Sequence, residues 1–205
     1  MSTGPLEGAA DHVAVCDGSL GVGLHACRPF HPGEPILEFT GPIVTFQQVI
    51  AMGEEQAYVV QIGPDRYIDT EPPGRFTNHS CAPNAGVVTD SVLVAVKPIM
   101  AGEEIRFDYS TTMSENYWTL ACRCGEANCR GVIRDFHLLP ATLQEHYIRS
   151  GLVQEFIVRE REERECRADE LELLLGASVR PRHRGAFPRP RWPEMQPGLD
   201  SDRRP

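Results

Sequence analysis

Short apolar runs, broken repeatedly by glycine and proline, dominate the first 110 residues. His12 to Val15 is a brief apolar stretch, after which the chain is expected to turn through a glycine cluster from Asp17 to Gly23. Pro35 to Phe39 and Pro42 to Val44 read as strands separated by a Thr40-Gly41 turn. Thr45 followed by Gln48 has capping-box spacing and predicts a short helix that stops near Gly53. Ala57 to Ile62 and Tyr67 to Asp69 are apolar runs split by Gly63, Pro64 and Asp65, the pattern of a hairpin. Ala85 to Val88, Val92 to Val96 and Ile105 to Tyr109 supply three more strands, Tyr109 closing the last.

The pattern changes after Tyr109. A loop with three closely spaced cysteines comes first, then Pro140 is placed to open a helix reaching roughly to Gly151. A second helix is predicted from Leu152 to Leu175, apolar at both ends, with REREERECRADE between them as a solvated charged face. From Ala177 to Pro205 the chain is rich in Pro and Arg and poor in apolar residues, the composition of a disordered tail. Its RPRHRGAFPRPR segment could touch phosphate or an acidic partner, although a flexible tail is the simpler reading. The expected organisation is a flexible N-terminus over 1–11, a β domain over 12–111, a cysteine loop over 112–134, helices over 135–176 and the tail over 177–205.

Composition narrows the function. The 205 residues can bury one core, and 29 acidic against 20 basic residues give a formal charge of -9. An acidic body is no clamp for nucleic acid, so a nucleic-acid partner is not expected. No apolar run approaches the roughly eighteen residues of a membrane span, and the first residues do not resemble a secretory leader. A cytoplasmic monomer with no membrane partner is the expectation, nuclear residence remaining open if the source is eukaryotic. Seven cysteines, an odd number in such a chain, fit free thiols plus a metal site better than a disulfide framework.

Cys122, Cys124 and Cys129 form C-x-C-x4-C, which lets three sulfurs from one loop reach a single ion. A tetrahedral zinc would need one more ligand, and Cys81 is the candidate; a redox pair or incidental cysteines stay open on spacing alone. Soft thiolates without an open water position suit a structural site. Cys16, Cys27 and Cys166 lack this clustering and read as free thiols.

Four segments, GVGLHACRPFHPGEPILEFTG from Gly21, RFTNHSCAPNA from Arg75, GEEIRFDY from Gly102 and CRCGEANCRG from Cys122, together resemble the SET-domain protein-lysine methyltransferases over roughly Val13 to Ile133. The last looks like a post-SET motif, in which three cysteines share a zinc with the cysteine after Asn-His-Ser, here Cys81. The resemblance implies a mainly β fold, the SET-type β-clip with knot-like threading, plus C-terminal α-helices. It further implies that S-adenosylmethionine and a protein lysine meet in a narrow channel from opposite faces. By position, Val22, Gly23, Leu24, Tyr58, Arg75, Asn78 and His79 are expected to hold the cofactor. Tyr109 is the expected catalytic residue, and Phe39 and Phe107 the expected lining of the substrate pocket.

Methyl transfer from a sulfonium to an amine is a direct displacement in which alignment supplies much of the rate. That accounts for a lone tyrosine where a hydrolase would carry a triad. Asp108 beside it reads as a structural hydrogen-bonding residue. The chain departs from many relatives in having Phe39-Thr40-Gly41-Pro42 where they carry Tyr-x-Gly-Glu, and Phe107 where they alternate between Phe and Tyr. Two phenylalanines leave fewer groups to restrain a water or fix the amine, so addition of more than one methyl is expected. The segments Thr45 to Asp69 and Asp69 to Arg75 are short, and no cysteine-rich pre-SET segment lies upstream of Cys16. A non-catalytic scaffold of the same fold is the alternative, opposed by the presence of Tyr109, Asn78 and His79.

Overall fold

The structure, a computed structural model, describes residues 11–18 and 21–174. The expected flexible N-terminus up to residue 10 and the Pro/Arg-rich tail lie outside the described residues. Among them the chain forms β1 (Val13–Gly18), β2 (Gly21–Ala26), β3 (Pro35–Glu38), β4 (Ile43–Val44), α1 (Phe46–Ala51), β5 (Val59–Gly63) and β6 (Arg66–Asp69). Then follow β7 (Asn78–His79), β8 (Ala85–Val88), β9 (Val92–Ala95), β10 (Arg106–Phe107), β11 (Leu120–Ala121), β12 (Val132–Ile133), α2 (Ala141–Arg149) and α3 (Glu155–Leu174). The strands make five small sheets, three of two strands and two of three, ordered β3-β9-β8 and β4-β6-β5 in the larger pair. None of the described sheets closes into a barrel.

Local sequence explains most of the elements. Thr45 caps α1 through the Gln48 amide while the Gln48 side chain accepts from the Thr45 amide, the reciprocal box that its spacing predicts. β5 and β6 form the expected hairpin. Two expectations fail. The glycine cluster is not simply a turn: Gly21 to Ala26 is itself a strand, paired residue for residue with β1. Gly23 reflects crowding, because a Cβ there would sit 2.5 Å from the Glu104 carboxylate, whereas Gly21 has open space and a φ of +99°. Nor does Tyr109 end a strand. β10 stops at Phe107, and the Asp108 carboxylate accepts from the Ser110 amide to start a 3-10 turn over Tyr109–Thr112.

The sheet β3-β9-β8 is buried on both faces. Alternation along its strands sends Ala85, Val87, Leu93 and Ala95 into a core shared with Leu24, Phe30, Ile36 and Phe107. Val88 and Val94 point the other way, into a second core with Phe136, Tyr147, Leu152, Phe156 and Ile157. The second core anchors the helices. α2 follows Pro140 as expected, whereas α3 begins at Glu155, three residues later than its pattern predicts. The preceding Leu152 and Val153 are buried instead, and a Cβ on Gly86 would come within 2.7 Å of Leu152 Cδ2, so the sheet takes the leucine only because residue 86 has no side chain. Beyond Val158, α3 turns outward and carries i,i+4 ion pairs such as Arg161–Glu165, as its charged middle predicts. No described helix is long and apolar enough to cross a membrane.

Candidate functional site

The parallel pairing of β7 with β10 sets Asn78 beside Arg106 and His79 beside Phe107, which brings two segments far apart in sequence to one point. Tyr109 follows immediately and is fastened twice to the first of them. Its hydroxyl donates to the Thr77 carbonyl (2.9 Å), and its amide donates to Nδ1 of His79 (3.2 Å). Its ring packs against His79 and Phe107 at centroid distances of 5.3 and 4.9 Å. Burial raises its phenol pKa well above the ordinary value, so the hydroxyl is neutral.

Tyr109 borders two cavities. One is a slender slot of about 70 Å³, lined among others by Phe39, Tyr58, Arg75, Phe107, Glu115 and Trp118. The other is a broader hollow of about 410 Å³ between Asn78, His79, Ala121, Cys122, Arg123 and Ile133. A slot of that size admits a side chain, whereas the hollow falls in the roughly 300–1,000 Å³ range of small-molecule sites. Phe39 and Phe107 sit in the slot as expected, their rings 5.8 Å apart. The seven residues expected around the cofactor divide. Asn78 and His79 wall the hollow, while Tyr58 and Arg75 face the slot, the Arg75 guanidinium lying 4.3 Å over the Tyr58 ring and pairing with Glu55 at 2.6 Å. Val22 and Gly23 reach Asn78, whose amide donates to the Val22 carbonyl (3.1 Å) and to Glu104 (2.8 Å). The Leu24 side chain is fully buried in the first core; only its backbone is near, accepting from the Ile105 amide.

The cysteine loop closes the hollow. Cys81 and Cys122 lie 3.7 Å apart, close to the edge of about 3.8 Å for a tetrahedron with metal–sulfur bonds of about 2.3 Å. By distance alone the tightest group is His79, Cys81, Cys122 and Cys124, whose ligand atoms are all within 4.8 Å of one another. Cys129 lies against Cys122 and Cys124. Proton placement separates His79 from Cys129. An amide can only donate, so His79 Nδ1, receiving the Tyr109 amide, must be the bare nitrogen. Nε2 then carries the proton and points it at Cys81 Sγ, 3.3 Å away. Burial holds the ring neutral, its pKa down at about 4. The imidazole is therefore a donor to sulfur, which leaves four thiols as the set that fits a soft ion. The Arg130 amide also donates to Cys81 Sγ (3.4 Å) and the Gly131 amide to Cys129 Sγ (3.5 Å), although burial pushes the Cys81 thiol up overall. Burial opposes ionisation of Cys124, but the amides of Cys81 and Glu126, with the neighbouring sulfurs, outweigh it and bring that thiol to about 7.

Three contributors have partners that the sequence does not reveal. Asp108, 1% exposed, is held bidentately by Arg130 at 2.7 Å on each oxygen and by the Tyr147 hydroxyl at 2.8 Å. One buried carboxylate thus ties the turn bearing Tyr109 to the cysteine loop and to α2, which fits its structural reading. Glu104 and Glu115 occur in stretches read as connections. Only the topology sets Glu104 beside Asn78 and Glu115 in the slot.

Comparison with known proteins places this geometry. A family model described as "SET domain" matches residues 21–110. Human "Histone-lysine N-methyltransferase 2D" is 32% identical over 126 residues, 54% of this chain and 2% of that protein. The "Histone-lysine N-methyltransferase, H3 lysine-36 specific" of Yarrowia lipolytica is 33% identical over 132 residues, 55% of this chain and 17% of that protein. Drosophila melanogaster "Histone-lysine N-methyltransferase ash1" is 33% identical over 129 residues, 55% of this chain and 6% of that protein. The chain therefore spans less than a fifth of the length of these relatives. Among solved structures, KRYPTONITE in complex with mCHH DNA, H3(1-15) peptide and SAH is similar at a TM-score of 0.48 and 24% identity, covering 60% of this chain and 29% of that one. The matched region and the strand architecture agree on a mainly β fold of SET type with helices added on the C-terminal side.

Proposed function

We propose that this chain transfers methyl groups from S-adenosylmethionine to the side-chain amine of lysine in a protein, histone or otherwise. The observation that carries the reading is the position of Tyr109, shared by a slot the width of a side chain and a hollow the size of a small molecule. The hollow suits the cofactor. Asn78 and His79 line it, and Glu104, beside Asn78, complements an amino group. The cofactor, when bound, supplies an electrophilic methyl.

The chain's own residues provide alignment. Phe39 and Phe107 confine an alkyl chain, and the Tyr109 oxygen, fixed by its bond to Thr77, is available for weak C–H···O contacts of about 0.5–1 kcal/mol each. A buried apolar slot also lowers the pKa of an entering amine. Cys81, Cys122, Cys124 and Cys129 would hold one structural zinc that keeps the wall of the hollow in place. With phenylalanine at both 39 and 107, the slot has room for more than one methyl. Mass spectrometry at exhaustive turnover tests this, and a product that stops at monomethyl overturns it. The chain is expected to act as a monomer. The histone-modifying names of its relatives favour a nuclear substrate over the cytoplasmic setting that composition suggests.

The decisive experiment is transfer of labelled methyl to a proteome extract by the native chain and by Tyr109→Phe. Most transfer should be lost while calorimetric binding of S-adenosylhomocysteine is kept. Equal transfer by both removes the role given to the hydroxyl, and absence of cofactor binding in the native chain returns the protein to a scaffold.

A further inference from the structure

Glu115 is an unusual occupant of the slot. The other lining residues are aromatic, aliphatic or neutral polar, Gln56, Thr70, Thr77 and Thr112 among the last, apart from Arg75, which is already engaged by Glu55 and stacked on Tyr58. Among the described residues no cation lies within ion-pair distance of the Glu115 carboxylate, which accepts from the Ser114 amide, at 3.0 Å to Oε2, and from its own backbone amide. Its surroundings are acidic. Asp135, whose Oδ2 accepts from the Asn116 amide, bears on it electrostatically, as it does on the buried phenol of Tyr67. Glu160 holds the adjacent Ser114 hydroxyl and is itself 3.7 Å from Arg164. Burial, with Asp135 adding to it, lifts the Glu115 pKa to about 7. A carboxylate without a counter-ion, at the wall of a cavity one side chain wide, is destabilising unless a cation arrives from outside.

We infer that Glu115 supplies the counter-ion for the substrate's ammonium group as it enters the slot, so that the slot selects a cationic side chain over a neutral one of equal length. The inference rests on the functional reading above and assigns to it a recognition residue outside the segments that carry the family resemblance. No proton transfer is required of Glu115. It admits and orients the charged amine, which has to lose its proton before the methyl arrives.

The cost appears in the free protein. A carboxyl whose folded pKa is raised above the ordinary 4.5 favours the folded state less once it ionises. Stability contributed through this group is therefore present at low pH and lost as pH rises from about 4.5 through about 7. Glu115→Gln removes that loss without changing shape.

The test uses the full chain and two probes, Nα-acetyl-lysine amide and its neutral isostere Nα-acetyl-norleucine amide, with binding read by saturation-transfer NMR at pH 8. The native chain should prefer the lysine probe by about tenfold, the order of one charge-assisted hydrogen bond. Glu115→Gln should reduce the preference to near unity, Glu115→Asp should keep part of it, and the melting temperature of Glu115→Gln at pH 8 should equal or exceed that of the native chain. An unchanged lysine-to-norleucine ratio in Glu115→Gln, or no preference in the native chain, overturns the inference. Failure of the enzymatic reading looks different: the amine preference persists, but no labelled methyl reaches any protein of the extract.

Discussion

The two cavities that meet at Tyr109 are built by different physics. One wall of the slot is embedded in, or directly on, the first hydrophobic core, where Phe39 and Phe107 are each 3% exposed and Val60 is 6%, and the other, with Glu115, Trp118 and Leu120, comes from the segment entering the cysteine loop. The first of these walls follows from burial of apolar surface. The hollow has one wall of that kind, at β7, and one made of the cysteine loop, whose only regular structure is the two-residue pairing of β11 with β12. Polar contacts hold the loop: Glu126 accepts from Ser80 and Arg106, Asn128 donates to the Cys81 carbonyl, and Arg130 pairs with Asp108, and the proposed zinc would add to them. The slot is thus expected to depend less than the hollow on the proposed zinc.

Removing the proposed zinc is the strongest way to separate the two. A strong chelator should abolish S-adenosylhomocysteine binding by calorimetry while the slot keeps its preference for the lysine probe; loss of both at once would show that the cavities are one cooperative unit. Next in size is Arg130→Ala. It leaves the Asp108 carboxylate, whose side chain is fully buried, without its cation, and unfolding by urea should show a loss of about 3–5 kcal/mol, with cofactor binding weakened more than probe binding. Tyr147→Phe removes one hydrogen bond to the same carboxylate from the helical side. It should cost about 1.5–3 kcal/mol and alter neither cavity, which separates simple loss of stability from loss of the hollow's wall. At the bottom of the scale is Arg167→Ala, whose pair with Glu163 is exposed and 4.0 Å long. Its effect should stay below about 0.5 kcal/mol, and a larger one would give α3 a role beyond that of a solvated extension.

The parts of this arrangement that could be read in advance are those written in short spacing. C-x-C-x4-C points to a metal loop because three sulfurs within eight residues can reach one ion, and the Thr45–Gln48 box marks a helix start because both its bonds are local. What escaped depends on partners distant in sequence. Asp108, Arg130 and Tyr147 are separated by 22 and 39 residues, and nothing in the sequence around any of them marks it for the others. Glu115 sits in a stretch with no periodicity. The strand Gly21–Ala26 was masked by its glycines, which suggest a turn until the Glu104 side chain that crowds Gly23 is in view. Tyr58 and Arg75 were carried over by position from the family resemblance, and position alone does not specify which cavity beside Tyr109 a residue lines.

The sheet β3-β9-β8 has a practical corollary for anyone trimming this chain. The family match ends at residue 110, yet Val88 and Val94 share their core with residues that come later, from Phe136 to Val158. A fragment cut at the edge of the match would present a flat aliphatic sheet face to water and should associate with itself through it. The smallest autonomous unit is therefore set by what covers the back of that sheet, and its boundary lies within the first turns of α3.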